Sequence, residues 1–187
     1  MDVGDIAGVL VRLPCVYAHE LLHITLADRD YIAAEMTAFL LSWLSTLTCP
    51  VLNHPTSTCL GGPYWRPEQW TYAAACAGIP VTSTRRRACL AAPPISVTSE
   101  MVEFDPAPGN LRVTVVGDQC VGNEDGTLRR YARYLAEAAG VGLLTVRFID
   151  DSPGLRFADA NPWPPLDDIV GEAVLAHMGK SAVEQRP

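Results

Sequence analysis

Lysine is almost missing from this 187-residue chain: Lys180 is the only one, and Lys and Arg together number 14 against 21 Asp and Glu. The formal net charge of -7 excludes broad phosphate-backbone binding as the main role, because nucleic acid is held chiefly by cationic side chains. Charge of either sign is scarce, 19% against 49% hydrophobic residues, which excludes a solvated disordered tail and requires a packed core. Long apolar runs are also missing. The nearest, Tyr31 to Leu47, is broken by Glu35 and several hydroxyls and stays short of the roughly 18 residues expected of a spanning helix. No membrane partner is expected. The N-terminus carries acids where a secretory signal carries cations, so the expected compartment is the cytoplasm. Cys15, Cys49, Cys59, Cys76, Cys89 and Cys120 form no C-x-x-C pair, and a chain of this length needs no staples, so reduced, packed thiols are expected.

What is present reads as alternating strands and helices. Asp5 to Pro14 is a β-branched apolar run that proline stops, which predicts a strand. Asp28 is a capping residue, and Ile32, Met36, Phe39, Leu40, Trp43 and Leu47 recur at helical spacing, which predicts a helix from Asp28 to about Leu47. Its polar face is thin, so it belongs either at the centre of the core or against another chain. A short buried strand over Pro50–Asn53, a loop over His54–Tyr64, a helix from Pro67 to Gly78 and a strand over Ile79–Thr82 follow.

Three arginines (Arg85, Arg86, Arg87), Pro93-Pro94, a possible strand from Ile95 to Phe104 and the turn DPAPGN mark a lobe boundary. Beyond it, Leu111–Val116 and Gln119–Gly122 pair as a hairpin about Gly117-Asp118. A helix then opens at Asp125, with Leu128, Tyr131, Leu135 and Ala138 on its inner face, and stops at Gly140 or Gly142. Strands over Leu143–Ile149 and Leu155–Asp159 flank the turn DDSPG. A last helix runs from about Leu166 to His177, with fraying from Gly179.

In this order the motifs VLVRLP, VLNHP, RPEQWTYAAACAG, GIPVTST, RVTVVGD and DANPWP resemble those of the ATP-grasp ligases, in the branch of ribosomal-protein glutamate ligases and microviridin ligases. The resemblance covers most of the chain. It implies an α/β, degenerate ATP-grasp-like fold with mixed sheets flanked by helices. It divides the chain into a partial N-terminal lobe (1–84), a connection in place of the ATP lid (85–110) and a C-terminal lobe (111–187). It also implies a ligand site at Arg112, Asp159 and Asn161. In a strand Asp159 and Asn161 share one face, so their oxygens suit a hard cation such as Mg²⁺, and Arg112 offers a fixed fork of donors to a phosphate or acceptor group. The plainer reading is that D-x-N-P is turn chemistry and Arg112 a solvated charge.

The departures are large. Thr84 and Arg112 lie only 28 positions apart, too few for a lid with its glycine-rich loop, and the phosphate-binding lysines of the family have no counterpart. Where the family presents a metal-binding acid, in a pattern like V-D-F-I, this chain has Val146-Arg147-Phe148-Ile149, and an arginine repels a cation. Asp150 and Asp151, the nearest acids, read as turn residues. The front of the family fold is shortened as well.

A rival motif sits at His19-Glu20-Leu21-Leu22-His23, which matches the HExxH pattern of zinc peptidases. Its extended form would need Gly and His where the chain has Leu26 and Arg29, and Glu35 comes only twelve residues after His23. The expected function is therefore that of a non-catalytic, truncated ATP-grasp-like pseudoenzyme. It would act as a binding or partner subunit, pairing with another copy or with a full-length ATP-grasp ligase, and would use ATP and Mg²⁺ only if a partner completes the site. The alternatives are a component of an ATP-dependent carboxylate-amine ligase completed by another chain, and a zinc hydrolase holding metal at His19 and His23.

Overall fold

The structure is a computed structural model describing residues 6–82, 110–151 and 154–184, the last five of these by their backbone alone. The arginines at 85–87, the expected strand over 95–104 and nearly all of the 85–110 connection lie outside the described residues. The fold is α/β, with four α-helices and two sheets among the described residues.

The first sheet is a parallel pair, β1 (Val9–Leu10) and β2 (Val51–Leu52). The strand expected over Asp5–Pro14 thus shrinks to two residues in the described part, since β2, its only partner there, is equally short. The second sheet is antiparallel, in the order β4 (Gln119–Gly122), β3 (Asn110–Val116), β5 (Leu143–Asp151), β6 (Gly154–Asn161). The β3–β4 hairpin turns at Gly117, whose φ is 54° and where a Cβ would stand 2.2 Å from the His177 ring. Glycine meets both demands, the left-handed backbone and the close approach.

The helices among the described residues are α1 (Arg29–Thr46), α2 (Pro67–Cys76), α3 (Gly126–Ala139) and α4 (Asp168–Glu184). Asp125 caps α3 by accepting from the N–H groups of Thr127 (2.7 Å) and Leu128 (3.2 Å), and Gly140 ends it in the left-handed region. Its inner face is Leu128, Ala132, Leu135 and Ala136. Ala138 is exposed, so the expected stripe is rotated slightly, because α3 packs on the sheet with its alanine side.

Together α2 and α3 bury Val113, Val115, Val146 and Phe148 on one sheet face; full burial of a side chain such as Phe148 contributes about 1.5–3 kcal/mol. A second cluster joins Val116 and Leu143 to Leu52, Val170, Ala173 and Val174, so α4 lies on the opposite face. Helix α4 runs on to Glu184, past the fraying expected from Gly179.

Helix α1 is formed where its periodicity predicts. Asp28 does not cap it through its side chain, however; the carboxylate accepts from the Thr25 hydroxyl at 2.6 Å instead. Only Ala33 and Leu44 of α1 are buried, while Tyr31 and Phe39 are 66% and 68% exposed. Of the two placements open to so apolar a helix, the centre of the core is not the one found. Among the described residues no helix is long and apolar enough to cross a membrane.

Candidate functional site

Strand alternation sends Arg112, Thr114 and Val116 of β3 to one face of the sheet. Their register partners on β5 are Arg147, Thr145 and Leu143, and β6 sets Asp159 beside Arg147 and Asn161 beside Thr145. The face grades from apolar to charged. Val116 and Leu143 lie under α4, the buried hydroxyls of Thr114 and Thr145 bond to each other at 2.6 Å, and Arg112, Arg147 and Asp159 form the outer row. The three residues expected at the site, Arg112, Asp159 and Asn161, are therefore brought to one face.

Each is already engaged. Arg147 donates to Asp159 as an ion pair. Arg112 donates to Asp167 at 3.0 Å, and the other oxygen of Asp167 accepts from the Val170 N–H at 2.9 Å, capping α4. The side-chain oxygen of Asn161 accepts from the Trp163 N–H at 2.8 Å. Asp151 pairs with Arg156. The Mg²⁺ implied by the resemblance does not fit this donor set. Of its two oxygen donors, one carboxylate is neutralised by a guanidinium standing in the row where a second acid is needed, and one carboxamide oxygen is spent on the backbone.

A second group of residues grips the segment that follows Asn161. Arg12 donates to the Pro164 carbonyl at 2.7 Å, and the Trp163 indole N–H donates to the Gly61 carbonyl at 3.0 Å. Asn53, 1% exposed and at φ 60°, donates to the carbonyls of Leu143 (3.0 Å) and Pro162 (2.8 Å) and accepts from the Leu143 N–H at 2.8 Å. Asn53, Asp167 and Gly61 are not singled out by sequence reasoning. Their signals are an asparagine closing an apolar pair, an acid just ahead of a helix and a doubled glycine, none specific without the fold.

At the edge of β6 lies a cleft of about 340 Å³, walled by two aromatic pairs. The ring centroids of Tyr64 and Trp163 are 5.7 Å apart, and those of Trp65 and Trp70 are 4.6 Å apart. Gly61 makes room for Trp163, since a Cβ there would lie 2.5 Å from the indole nitrogen.

At the rival motif, His19 lies in a single 3-10 turn (Ala18–Glu20) and stacks on Tyr17 with centroids 5.3 Å apart. The chain leaves the helical region at Leu21, so no α-helix sets His19 and His23 one turn apart. Glu35 is on α1. Among the described residues no three His, Cys, Asp or Glu side chains gather as a metal set. Burial pushes the Cys59 thiol up; the Gly61 N–H draws it partly back, and Cys15 adds to the rise.

No protein-family model and no curated protein matches the chain. Among solved structures, the fold matches that of macrocyclase MdnC bound with precursor peptide MdnA from Microcystis aeruginosa MRC. The TM-score is 0.64 at 12% identity, over 100% of this chain and 80% of that one. Macrocyclase MdnB from the same organism aligns over 97% of this chain and 72% of that chain, at 15% identity and a TM-score of 0.44. The likeness to MdnC is one of fold: this chain has an α/β architecture similar to that of MdnC.

Proposed function

We propose that this chain is an ATP-grasp-like protein without ligase activity of its own, serving as a binding or partner subunit in a peptide-modifying ligase system. The fold shared with MdnC, whose structure carries a precursor peptide, supports the system. The Arg147–Asp159 ion pair carries the non-catalytic part. A guanidinium repels Mg²⁺ from the carboxylate it neutralises, and nucleotide phosphates without their cation bind and react poorly. In this reading 1–84 and 111–187 are the remnants of two lobes, 85–110 replaces the lid, and the compartment is the cytoplasm. The exposed Tyr31, Met36 and Phe39 of α1 support a partner, either a second copy or a complete ligase of the same fold.

One observation favours a second reading. Arg112 and Asp167 both remain about two-fifths exposed, so a partner chain could use Arg112 within a composite carboxylate-amine ligase. Calorimetry with Mg²⁺-ATP separates the two. The isolated chain gives no heat under either, and a complex with a co-encoded ligase gives heat dependent on Arg112 only under the second. Saturable ATP binding by the isolated chain would overturn the proposal.

A further inference from the structure

Two of the free thiols, Cys15 and Cys59, meet where the segment after β1 touches the loop after β2. The Leu60 N–H donates to the Pro14 carbonyl at 2.8 Å; Cys15 follows one of these residues and Cys59 precedes the other. Standard peptide dimensions then hold the two cysteine Cα atoms within about 8 Å of each other. Disulfides span Cα separations of about 4.4–6.8 Å, so even that upper limit lies little more than an ångström outside bridging range.

Three further observations bring the pair together. Both residues line one cleft of about 500 Å³. A Cys15 thiolate works against ionisation of Cys59, so the sulfurs are within electrostatic reach. Both backbones are also held: proline fixes φ ahead of Cys15, and Thr56 and Cys59 close a turn with two mutual hydrogen bonds, at 2.8 and 3.3 Å. The two thiols differ in access, Cys59 being 1% exposed and Cys15 only half-buried. Reactivity of a thiol follows its exposure and thiolate character, so Cys15 is the one an oxidant meets first.

The position gives a cross-link something to act on. Arg12, three residues ahead of Cys15, holds the Pro164 carbonyl, and the carbonyl of Gly61, two residues past Cys59, holds the Trp163 indole. These are two arms of the grip on the segment after β6, and the loop between the cysteines contains all of α1.

We propose that Cys15 and Cys59 are a peroxide-responsive dithiol that closes reversibly to a disulfide and locks the two arms gripping residues 162–164. The Cys15 thiolate attacks hydrogen peroxide, the O–O bond breaks, the sulfur becomes a sulfenic acid, and the other oxygen leaves as water after taking a proton. The Cys59 sulfur then attacks the Cys15 sulfur. The S–S bond forms as the S–O bond breaks, and the departing hydroxide becomes a second water with the proton Cys59 gives up. Two thiols lose two electrons and the peroxide gains them; a dithiol reductant restores the pair by exchange.

The test treats the full chain with a small molar excess of hydrogen peroxide, alkylates the remaining thiols, digests without reductant and maps the peptides by mass spectrometry. The expected product is a Cys15–Cys59 linked peptide pair, two hydrogens lighter than the separate peptides and abolished by dithiothreitol. The melting temperature of the oxidised protein should rise by about 5–10 °C, because the unfolded chain is constrained across a long loop. Cys15→Ser should show neither change. Because that variant can fail to fold, the wild-type map decides on its own. The proposal is overturned by Cys15 passing to sulfinic acid while Cys59 stays a free thiol, or by Cys89 or any other cysteine taking the place of either partner. A linked protein that melts no higher, or a Cys15→Ser variant stabilised by peroxide as much as the wild type, overturns it as well.

Discussion

Arg147 and Asp159 are register partners across β5 and β6, and the guanidinium of one is bound to the carboxylate of the other. The outer row of the sheet therefore carries its own cation. Arg147→Asp is expected to reverse this by setting a second carboxylate beside that of Asp159, freed of its guanidinium, on the same face. Titration with Mn²⁺ followed by electron paramagnetic resonance should show no bound ion in the wild type and one in the variant, whose melting temperature rises with Mn²⁺. Mn²⁺ held by the wild type at Asp159 would remove the support for a non-catalytic role.

Asn53→Ala is expected to cost about 2–4 kcal/mol in urea unfolding. It leaves the buried Leu143 N–H and two carbonyls without their side-chain partners, and each such loss costs about 1–3 kcal/mol with partial relaxation. A cost below that of an exposed substitution would show that water replaces the carboxamide.

Gly61→Ala should expel the Trp163 indole, because the added methyl would stand 2.5 Å from its nitrogen. Overpacking of this kind costs about 1–3 kcal/mol. The expected signature is a lower melting temperature together with red-shifted tryptophan emission. An unchanged emission spectrum would mean that the backbone yields instead.

The Cys59 thiol titrates above its ordinary value in the folded chain, chiefly because burial disfavours the thiolate. The folded state then holds a proton that the unfolded state releases above its ordinary thiol pKa of about 8.5. This contribution to stability is complete below that pH and is lost as pH rises through the folded value. Urea midpoints should fall between pH 7 and pH 10, and fall less in Cys59→Ala. An equal fall in both would assign the effect to other groups, such as Tyr17, which is raised in the same direction.

Local signals make much of this fold readable in advance. The bounds of α3 follow from Asp125 and Gly140, and those of α2 from Pro67 and Gly78, because caps and stops act within a few positions. The hairpin at Gly117 is legible for the same reason. Pairing at a distance is not. Arg147 and Asp159 are 12 positions apart, and a register shift between Arg147 and Phe148 decides that they meet. The sequence exposes Arg147 as a departure from the ligase pattern, but not the partner that absorbs it. The roles of Asn53 and Asp167 are hidden likewise, since each serves segments separated from it in sequence or shares its two oxygens between a helix end and a strand.

Asp167 has a wider consequence. One oxygen holds the first turn of α4 and the other holds Arg112. Whatever anion draws Arg112 toward itself also releases that carboxylate from its cation and leaves the helix end with a freer, more negative clasp. The solvent-exchange rate of the Val170 amide is thus expected to report on the state of the Arg112–Asp167 pair.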